Sequence, residues 1–299
     1  MAVPGPPTPD VQCVFVIWGE KYPIAHVNAM IEAALAHSSR RLGFTCLSDR
    51  PRPDLHPAAQ LQDIGPAFAR PDFMGAGTQA KLAIFEKGRL ADGVPALYFD
   101  LDTMIMGDVG RLAALLKRQR GLHMIPATAG SFWPLGRAVN RVRAGTVRFR
   151  GNGSIFVFMP EDWHHLPQAY LDQRARATEP LPRHLWADDR FVSHMARDRL
   201  FAIPTTLAVK FVNEFMAPGP ALARRKGHQA ATTARRQGLV ALTFSGDACK
   251  PEDLLQLPEG GTLSDRKGRV LVWEDEAMSG LIPRIRNYWA HMSAGKAES

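Results

Sequence analysis

Apolar residues in this chain come in short β-branched runs that alternate with stretches of helical spacing. The first run, residues 12–18 (QCVFVIW), has the pattern of a buried strand and stops at Gly19. Residues 23–37 follow, with Ile24, Val27, Met30, Ile31, Ala34 and Leu35 at helical spacing, and 44–47 (FTCL) reads as a second strand closing at Ser48-Asp49. Strand, helix and strand in that order form a βαβ unit and predict a parallel sheet. Five prolines between residues 50 and 72 mark a connecting loop with a short strand at 61–64. The pattern then predicts a helix over 78–87, a strong strand over 96–100 (ALYFD), a helix over 109–118 and strands over 121–125 and 152–159. Helices are expected over 161–176 and 188–197, a late strand over 239–244, and a closing helix over 277–292 that carries Trp289. Alternation is regular in the first half and mixed in the second. The expectation is one α/β domain over residues 11–292, between a Pro-rich leader (1–10) and a small polar tail (293–299).

Composition narrows the class. The chain has 299 residues, 45% of them apolar and 22% charged, which is ordinary globular usage and excludes a largely disordered chain. Three scattered cysteines, Cys13, Cys46 and Cys249, form no CxxC pair, which speaks against a thiolate zinc site and fits a reducing compartment. No run approaches the length of a transmembrane helix, and the leader lacks the basic and apolar regions of a secretory signal. A cytoplasmic protein is expected.

The sharpest chemical feature is Asp100-Leu101-Asp102 at the end of the ALYFD strand. On a strand, residues two apart face the same side, and in open α/β sheets ligands bind outside the carboxyl ends of the strands. Two carboxylates there without basic neighbours repel one another and favour a divalent cation; oxygen donors suit Mg²⁺ or Mn²⁺. Such a cation neutralises phosphate oxygens and stabilises a leaving group.

Several further motifs stand in a fixed order around this pair: Trp18-Gly19-Glu20-Lys21-Tyr22, Cys46-Leu47-Ser48-Asp49, Lys81-Leu82-Ala83-Ile84-Phe85, Gly151-Asn152-Gly153-Ser154-Ile155-Phe156, Trp186-Ala187-Asp188-Asp189-Arg190-Phe191 and Phe244-Ser245-Gly246-Asp247-Ala248-Cys249-Lys250-Pro251. With Tyr98-Phe99-Asp100-Leu101-Asp102 they resemble the GT-A nucleotide-sugar glycosyltransferases, especially glycosyltransferase family 8 and related bacterial proteins, over most of residues 12–290. The resemblance implies a Rossmann-like GT-A fold with a mixed central sheet. It implies a nucleotide-diphosphate sugar donor, usually a UDP-sugar, bound through Mn²⁺ or Mg²⁺, and a glycan, lipid-linked or other hydroxyl acceptor, with retention of configuration. Asp100 and Asp102 would hold the metal. Trp18, Gly19, Tyr22, Asp49, Lys81, Leu101 and Lys250 would bind the donor alongside Asp100, with Tyr22 stacking on the base and Lys81 reaching a phosphate or the sugar. Asn152, Asp188 and Asp189 would act at the reacting sugar and acceptor. The chain departs from the family twice. Ser245 stands where a metal-binding histidine is usual, leaving Asp247 to supply an oxygen, and Asp189 stands where glutamine is usual. Acidic residues at 188 and 189 also suit the first turn of a helix by themselves.

The net charge of +8 concentrates in two segments: Arg137, Arg141, Arg143, Arg148 and Arg150, then Arg224, Arg225, Lys226, Arg235 and Arg236. Basic segments of this kind bind an anionic acceptor or the inner face of a membrane. No nucleic-acid recognition module accompanies them, so no nucleic acid is expected. Adjacent His164 and His165 point about 100° apart on a helix and do not share a metal. Two other functions compete with sugar transfer. One is a GT-A fold that binds nucleotide without catalysing, motivated by Ser245 and Asp189. The other is a haloacid-dehalogenase-type phosphatase, whose first motif Phe99–Thr103 resembles, although such a motif normally opens its domain.

Overall fold

A computed structural model describes residues 8–127, 132, 151–244 and 249–294, with residues 291–294 as backbone. Strand β1 (Val11–Ile17) is buried along its whole length, as expected of a strand covered on both faces. Its odd residues Val11, Cys13, Phe15 and Ile17 pack with Val27, Met30, Ile31 and Ala34 of helix α1 (Ala25–His37). Its even residues Val14 and Val16 pack on the other face with Leu82, Phe85, Phe68 and Phe73. The period-2 alternation of one strand thus divides the interior into two layers. Gln12 is the polar exception, and its side chain is paid for by hydrogen bonds with Ala91 and Val94 backbone groups.

Strands β2 (Leu42–Ser48), β3 (Ala59–Asp63), β4 (Ala96–Phe99), β5 (Thr103–Ile105), β6 (Leu122–Pro126), β7 (Gly151–Phe158) and β8 (Leu200–Ala202) follow β1 in the chain. A mixed sheet runs β3-β2-β1-β4-β7-β6-β8, parallel from β3 to β4 and antiparallel where β7 joins its neighbours. Strand β5 instead leaves for a second sheet, β5-β10-β9, made with β9 (Ala208–Lys210) and β10 (Ala241–Thr243). Helix α2 (Gly110–Arg118) adds Leu112, Leu115 and Leu116 to the first layer. The expected strands of the first half are all present, and the mixed sheet matches the expected fold class.

Three expected helices change. Residues 78–87 form a 3-10 helix, Gln79–Phe85, buried on every side, so its apolar pattern is not one-sided. The expected helix over 161–176 splits, because the α-helix α3 (Leu166–Arg176) begins just before Pro167. The closing helix likewise begins at Ile282, just before Pro283, and not at 277. Proline lacks the N–H that a later turn requires and fits only the first turn.

The second half holds elements too short for periodicity to reveal: β8, β9, helix α5 (Phe211–Phe215), helices α6 (Pro220–Gly227) and α7 (Ala230–Gln237), and the hairpin β11 (Gly261–Ser264) with β12 (Val270–Trp273). Helix α4 (Asp188–Met195) falls where expected, α8 (Pro251–Gln256) follows β10, and α9 (Ile282–Ala294) closes the chain, reaching into the expected tail. Asp10, placed in the expected leader, is anchored by Arg41 at 3.0 Å. All three cysteines are free and buried, and burial pushes the Cys13 and Cys46 thiols up to about 12. No helix among the described residues is long and apolar enough to cross a membrane.

The basic segment 224–236 is tied into the fold and does not offer a free cationic face. Glu214 Oε1 accepts from Arg235 at 2.6 Å and from Arg236 at 2.7 Å, with Lys226 at 3.6 Å. Arg236 is 1% exposed and also donates to the Ala277 and Glu214 carbonyls. Arg224 pairs with Glu274. Residues 137–150 lie outside the described residues. Burial pushes the Glu214 carboxyl up, but Arg235, Lys226 and Arg236 outweigh it and hold it below its ordinary value. Its contribution is therefore present above the usual carboxylate range and lost as pH falls through the lowered value. Breaking a buried pair strands the other charge, so Glu214→Gln is expected to cost about 3–5 kcal/mol in urea unfolding at pH 7. Arg224→Ala, at an exposed pair, is expected to cost less than about 1 kcal/mol. Equal losses would contradict this placement.

Candidate active site

Asp100 and Asp102 lie on the turn that carries the chain out of the first sheet, at the end of β4, into β5 in the second. They are not on a strand, so strand alternation is not what brings them together. The turn is held from several directions. Thr103 N–H donates to the Asp100 carbonyl (3.0 Å), Asp100 N–H to the Ser154 carbonyl on β7 (2.8 Å), and Phe244 N–H to the Asp102 carbonyl (2.8 Å). The imidazole Nδ1 of His26 stands 3.0 Å from the Leu101 carbonyl, and its ring packs between Tyr22 and Trp289.

The two carboxylates do have basic neighbours, contrary to the sequence expectation. Lys81 Nζ stands 2.5 Å from Asp100 Oδ1, which also accepts from the Tyr98 hydroxyl at 2.6 Å. Lys250 Nζ stands 3.0 Å from Asp102 Oδ2. Asp102 Oδ1 is buried and has no hydrogen-bond partner among the described residues. Distances along the chain of 19 and 148 residues hide both pairs from any local pattern.

Across from the turn, Asp188 opens α4. Its N–H donates to the Gly77 carbonyl (3.0 Å) and its Oδ1 accepts from the Thr78 hydroxyl (2.8 Å). Its Oδ2 is buried, 3.8 Å from Lys81 Nζ and without a hydrogen-bond partner among the described residues. Burial pushes the Asp188 carboxyl up to about 7 against the pull of Lys81, and Asp189 and Asp100 add to the rise. Burial raises Asp189 as well. For Lys81, burial pulls the ammonium down, but Asp100 and Asp188 outweigh it and hold it above the usual lysine range. Glycine at 153 makes the approach possible: a Cβ there would stand 2.6 Å from Asp188 Oδ2.

These groups line one cleft of about 580 Å³ at the carboxyl ends of β1 and β4. Trp18, Tyr22, Lys81, Asp100, Leu101, Asp102, Asn152, Asp188, Asp189 and Lys250, all named above from the sequence, line it. Trp18 is fixed by its indole N–H on the Met74 carbonyl (2.8 Å), and Asn152 Oδ1 accepts from the Ser154 hydroxyl (2.6 Å). Gly19 and Asp49 do not line the cleft. Asp49 accepts from the Gly19 N–H (3.1 Å), Arg50 and Arg52, so its oxygens help to shape the turn after β1. Asp247 and Ser245 lie outside the described residues. The sequence reading passed over Thr78, Met74, Ser154 and His26. Thr78 and Ser154 adjoin motifs that it used; nothing local marks His26.

Family models and curated proteins return no match for the sequence. Solved structures do. The galactosyltransferase LgtC, in complex with donor and acceptor sugar analogues, aligns over 81% of this chain and 89% of its own, at 14% identity and a TM-score of 0.52. The bifunctional glycosyltransferase WbbM aligns over 97% of this chain at 14% identity and a TM-score of 0.56. This chain has the GT-A glycosyltransferase fold. The glycosyltransferase GlyE of Streptococcus pneumoniae TIGR4 aligns over 96% of the chain at 16% identity and a TM-score of 0.52. The GT-A chain spans 53% of WbbM and 64% of GlyE. The fold removes the ground for the phosphatase alternative.

Among the described residues no three His, Cys, Asp or Glu side chains gather around one point. Asp100 and Asp102 would supply the oxygens, Asp102 Oδ1 being a buried carboxylate oxygen without a partner among the described residues. Hard oxygens of this kind fit Mg²⁺ or Mn²⁺.

Folding favours the protonated form of Asp188. That contribution is fully present below the ordinary carboxyl value and is lost as pH rises through about 7. Wild type is therefore expected to lose stability relative to Asp188→Asn between pH 4 and pH 8 in chemical denaturation; a constant difference would contradict the buried placement. Gly153→Ala is expected to cost about 1–3 kcal/mol from overpacking, and less in an Asp188→Ala background, where the clashing oxygen is gone. A double-mutant cycle reads this, and additive losses would exclude the contact.

Proposed function

We propose that this chain is a glycosyltransferase that takes a sugar from a nucleotide-diphosphate donor, a UDP-sugar, and passes it to an acceptor hydroxyl with retention of configuration. The observation that carries the reading is the arrangement in one cleft of Asp100, Asp102 and Lys250 opposite the buried Asp188, on a GT-A fold. Asp100 and Asp102 would hold Mn²⁺ or Mg²⁺. Such a cation supplies charge neutralisation on the departing diphosphate.

The chain's own residues divide the remaining work. Lys81 is buried between Asp100 and Asp188 and fixes both carboxylates. Lys250 is more exposed, at 29% of its side chain against 10% for Lys81, and pairs with Asp102 through one oxygen. It is free to turn from Asp102 to a phosphate oxygen when a diphosphate arrives. Tyr22 and Trp18 offer aromatic faces at the β1 end of the cleft for the base. Asp188 Oδ2 lacks a donor and is satisfied by a sugar hydroxyl, which orients the donor ring. Asp189 and Asn152 stand beside it for the acceptor hydroxyl. LgtC's complex with donor and acceptor sugar analogues supports reading the cleft as the place of both substrates.

Thermal shift with UDP tests this. At 100-fold excess over Kd, ligand linkage gives about 2.7 kcal/mol, or a Tm rise of about 4 °C for a chain of this size. The rise is expected to need Mn²⁺ or Mg²⁺ and to be lost in Asp102→Asn. UDP stabilisation that ignores the metal, or that survives in Asp102→Asn, would overturn the reading.

A further inference from the structure

Residues 77–79 grip the segment that leads into α4. The Gly77 carbonyl accepts from the Asp188 N–H (3.0 Å), the Thr78 hydroxyl donates to Asp188 Oδ1 (2.8 Å), and Gln79 Nε2 donates to the Trp186 carbonyl (2.9 Å). The approach is so close that a Cβ at position 77 would collide with the Trp186 carbonyl. Thr78 stands at the centre of this clamp and lines the cleft. Its backbone is left-handed, at φ 54° and ψ 30°.

That conformation is foreign to threonine. The left-handed region crowds Cβ against the following carbonyl oxygen, so glycine or asparagine is usual there and a β-branched residue is an outlier. Gly75 and Gly77 stand in the same loop, yet neither takes the positive φ. Thr78 also occupies the N-cap of the 3-10 helix Gln79–Phe85, where a threonine hydroxyl ordinarily accepts from a backbone N–H of the first turn. It makes no such cap bond here, and the hydroxyl is directed to Asp188 instead. Backbone strain of this kind persists where the surrounding structure over-determines a functional site.

We propose that Thr78 is a positioning residue for sugar transfer: its hydroxyl holds Oδ1 of Asp188 and so presents Oδ2 to the donor sugar. The inference rests on the glycosyltransferase reading of the cleft. An aspartate head turns about two torsions, and the bond from the Asp188 N–H to the Gly77 carbonyl fixes only the backbone. The Thr78 hydroxyl fixes the head. It leaves Oδ2 at 3.8 Å from Lys81 Nζ and without a hydrogen-bond partner among the described residues. The same bond bears on the charge of Asp188. Burial raises this carboxyl most, Asp189 on α4 and Asp100 on the turn add to the rise, and Lys81 and the Thr78 hydroxyl oppose it. A hydrogen bond donated to the charged form favours that form, so loss of the hydroxyl lets the carboxyl rise further.

Thr78→Gly separates the hydroxyl from the backbone, because glycine takes a positive φ without strain. Asp188 is followed by NMR in protein labelled with ¹³Cγ-aspartate, without metal or nucleotide, its signal assigned by its loss in Asp188→Asn. Wild type is expected to titrate at about 7. One charge-assisted hydrogen bond is worth about tenfold in equilibrium, or about one pH unit, so the midpoint is expected to rise by about that much in Thr78→Gly and to stay within about 0.3 of a pH unit in Thr78→Ser. Turnover of UDP-glucose or UDP-galactose with Mn²⁺ reads the consequence. There kcat is expected to fall about tenfold or more in Thr78→Gly and to be largely kept in Thr78→Ser, with inhibition by UDP within about threefold of wild type in both. If wild type turns over neither sugar, the midpoints decide alone. An Asp188 midpoint unmoved in Thr78→Gly, or an equal loss of turnover in Thr78→Ser, would overturn the proposal. Failure of wild type to bind UDP would sink the glycosyltransferase reading, and the midpoints, read without nucleotide, are told apart from it.

Discussion

The turn from Asp100 to Asp102 is the constraint on which the rest of this structure depends. It joins the two sheets, and every neighbouring layer touches it: β7 through Ser154, the start of the second sheet through Thr103, the segment after β10 through Phe244 and α1 through His26. Two carboxylates on so enclosed a turn are unstable alone. Lys81 and Lys250 offset them, one from the 3-10 helix and one from the loop before α8, so the ion pairs also fix how distant parts of the chain meet. The two pairs differ in kind. Lys81 is locked between two acids, whereas Lys250 holds one carboxylate oxygen and the Phe244 carbonyl and leaves Asp102 Oδ1 without a partner among the described residues. On the proposed reading, a locked cation and a more exposed one beside an unpartnered carboxylate oxygen suit a site that admits a nucleoside diphosphate and then lets it go.

Packing explains why the cleft lies where it does. Strand β1 serves both apolar layers, so its carboxyl end and that of β4 are supported on each face and end together. Glycine at 153 lets β7 pass against Asp188 closely enough to bury that carboxylate. Burial then raises the Asp188 carboxyl to about 7, and its Oδ2 has no hydrogen-bond partner among the described residues.

Much of this was legible in the sequence. The runs 12–18, 44–47, 96–100 and 152–159 are mostly apolar and bounded by turn residues, and all became strands. The motif order located ten of the residues that face the cleft. What the sequence hid was set by distance or by brevity. No local signal links Lys250 to Asp102 or His26 to Leu101, and a lone count of nearby charges therefore missed the neutralised state of the acidic pair. Asp49 has the look of a ligand group, yet Gly19, Arg50 and Arg52 consume its oxygens. The basic run 224–236 suggested a free surface, whereas Glu214 and Glu274 bind four of its five cations. Strands of three residues such as β8 and β9 carry no periodicity at all.

The claim at the centre of this account is that Lys250 stands in for a cation on Asp102 and leaves when the donor arrives. Crystals grown with UDP and Mn²⁺, measured at an X-ray energy where manganese scatters anomalously, test it directly. The account expects an anomalous peak within bonding distance of Asp100 and Asp102, with Lys250 Nζ moved from Asp102 to a phosphate oxygen. Bound UDP with no peak there, and Lys250 still paired to Asp102, would contradict it.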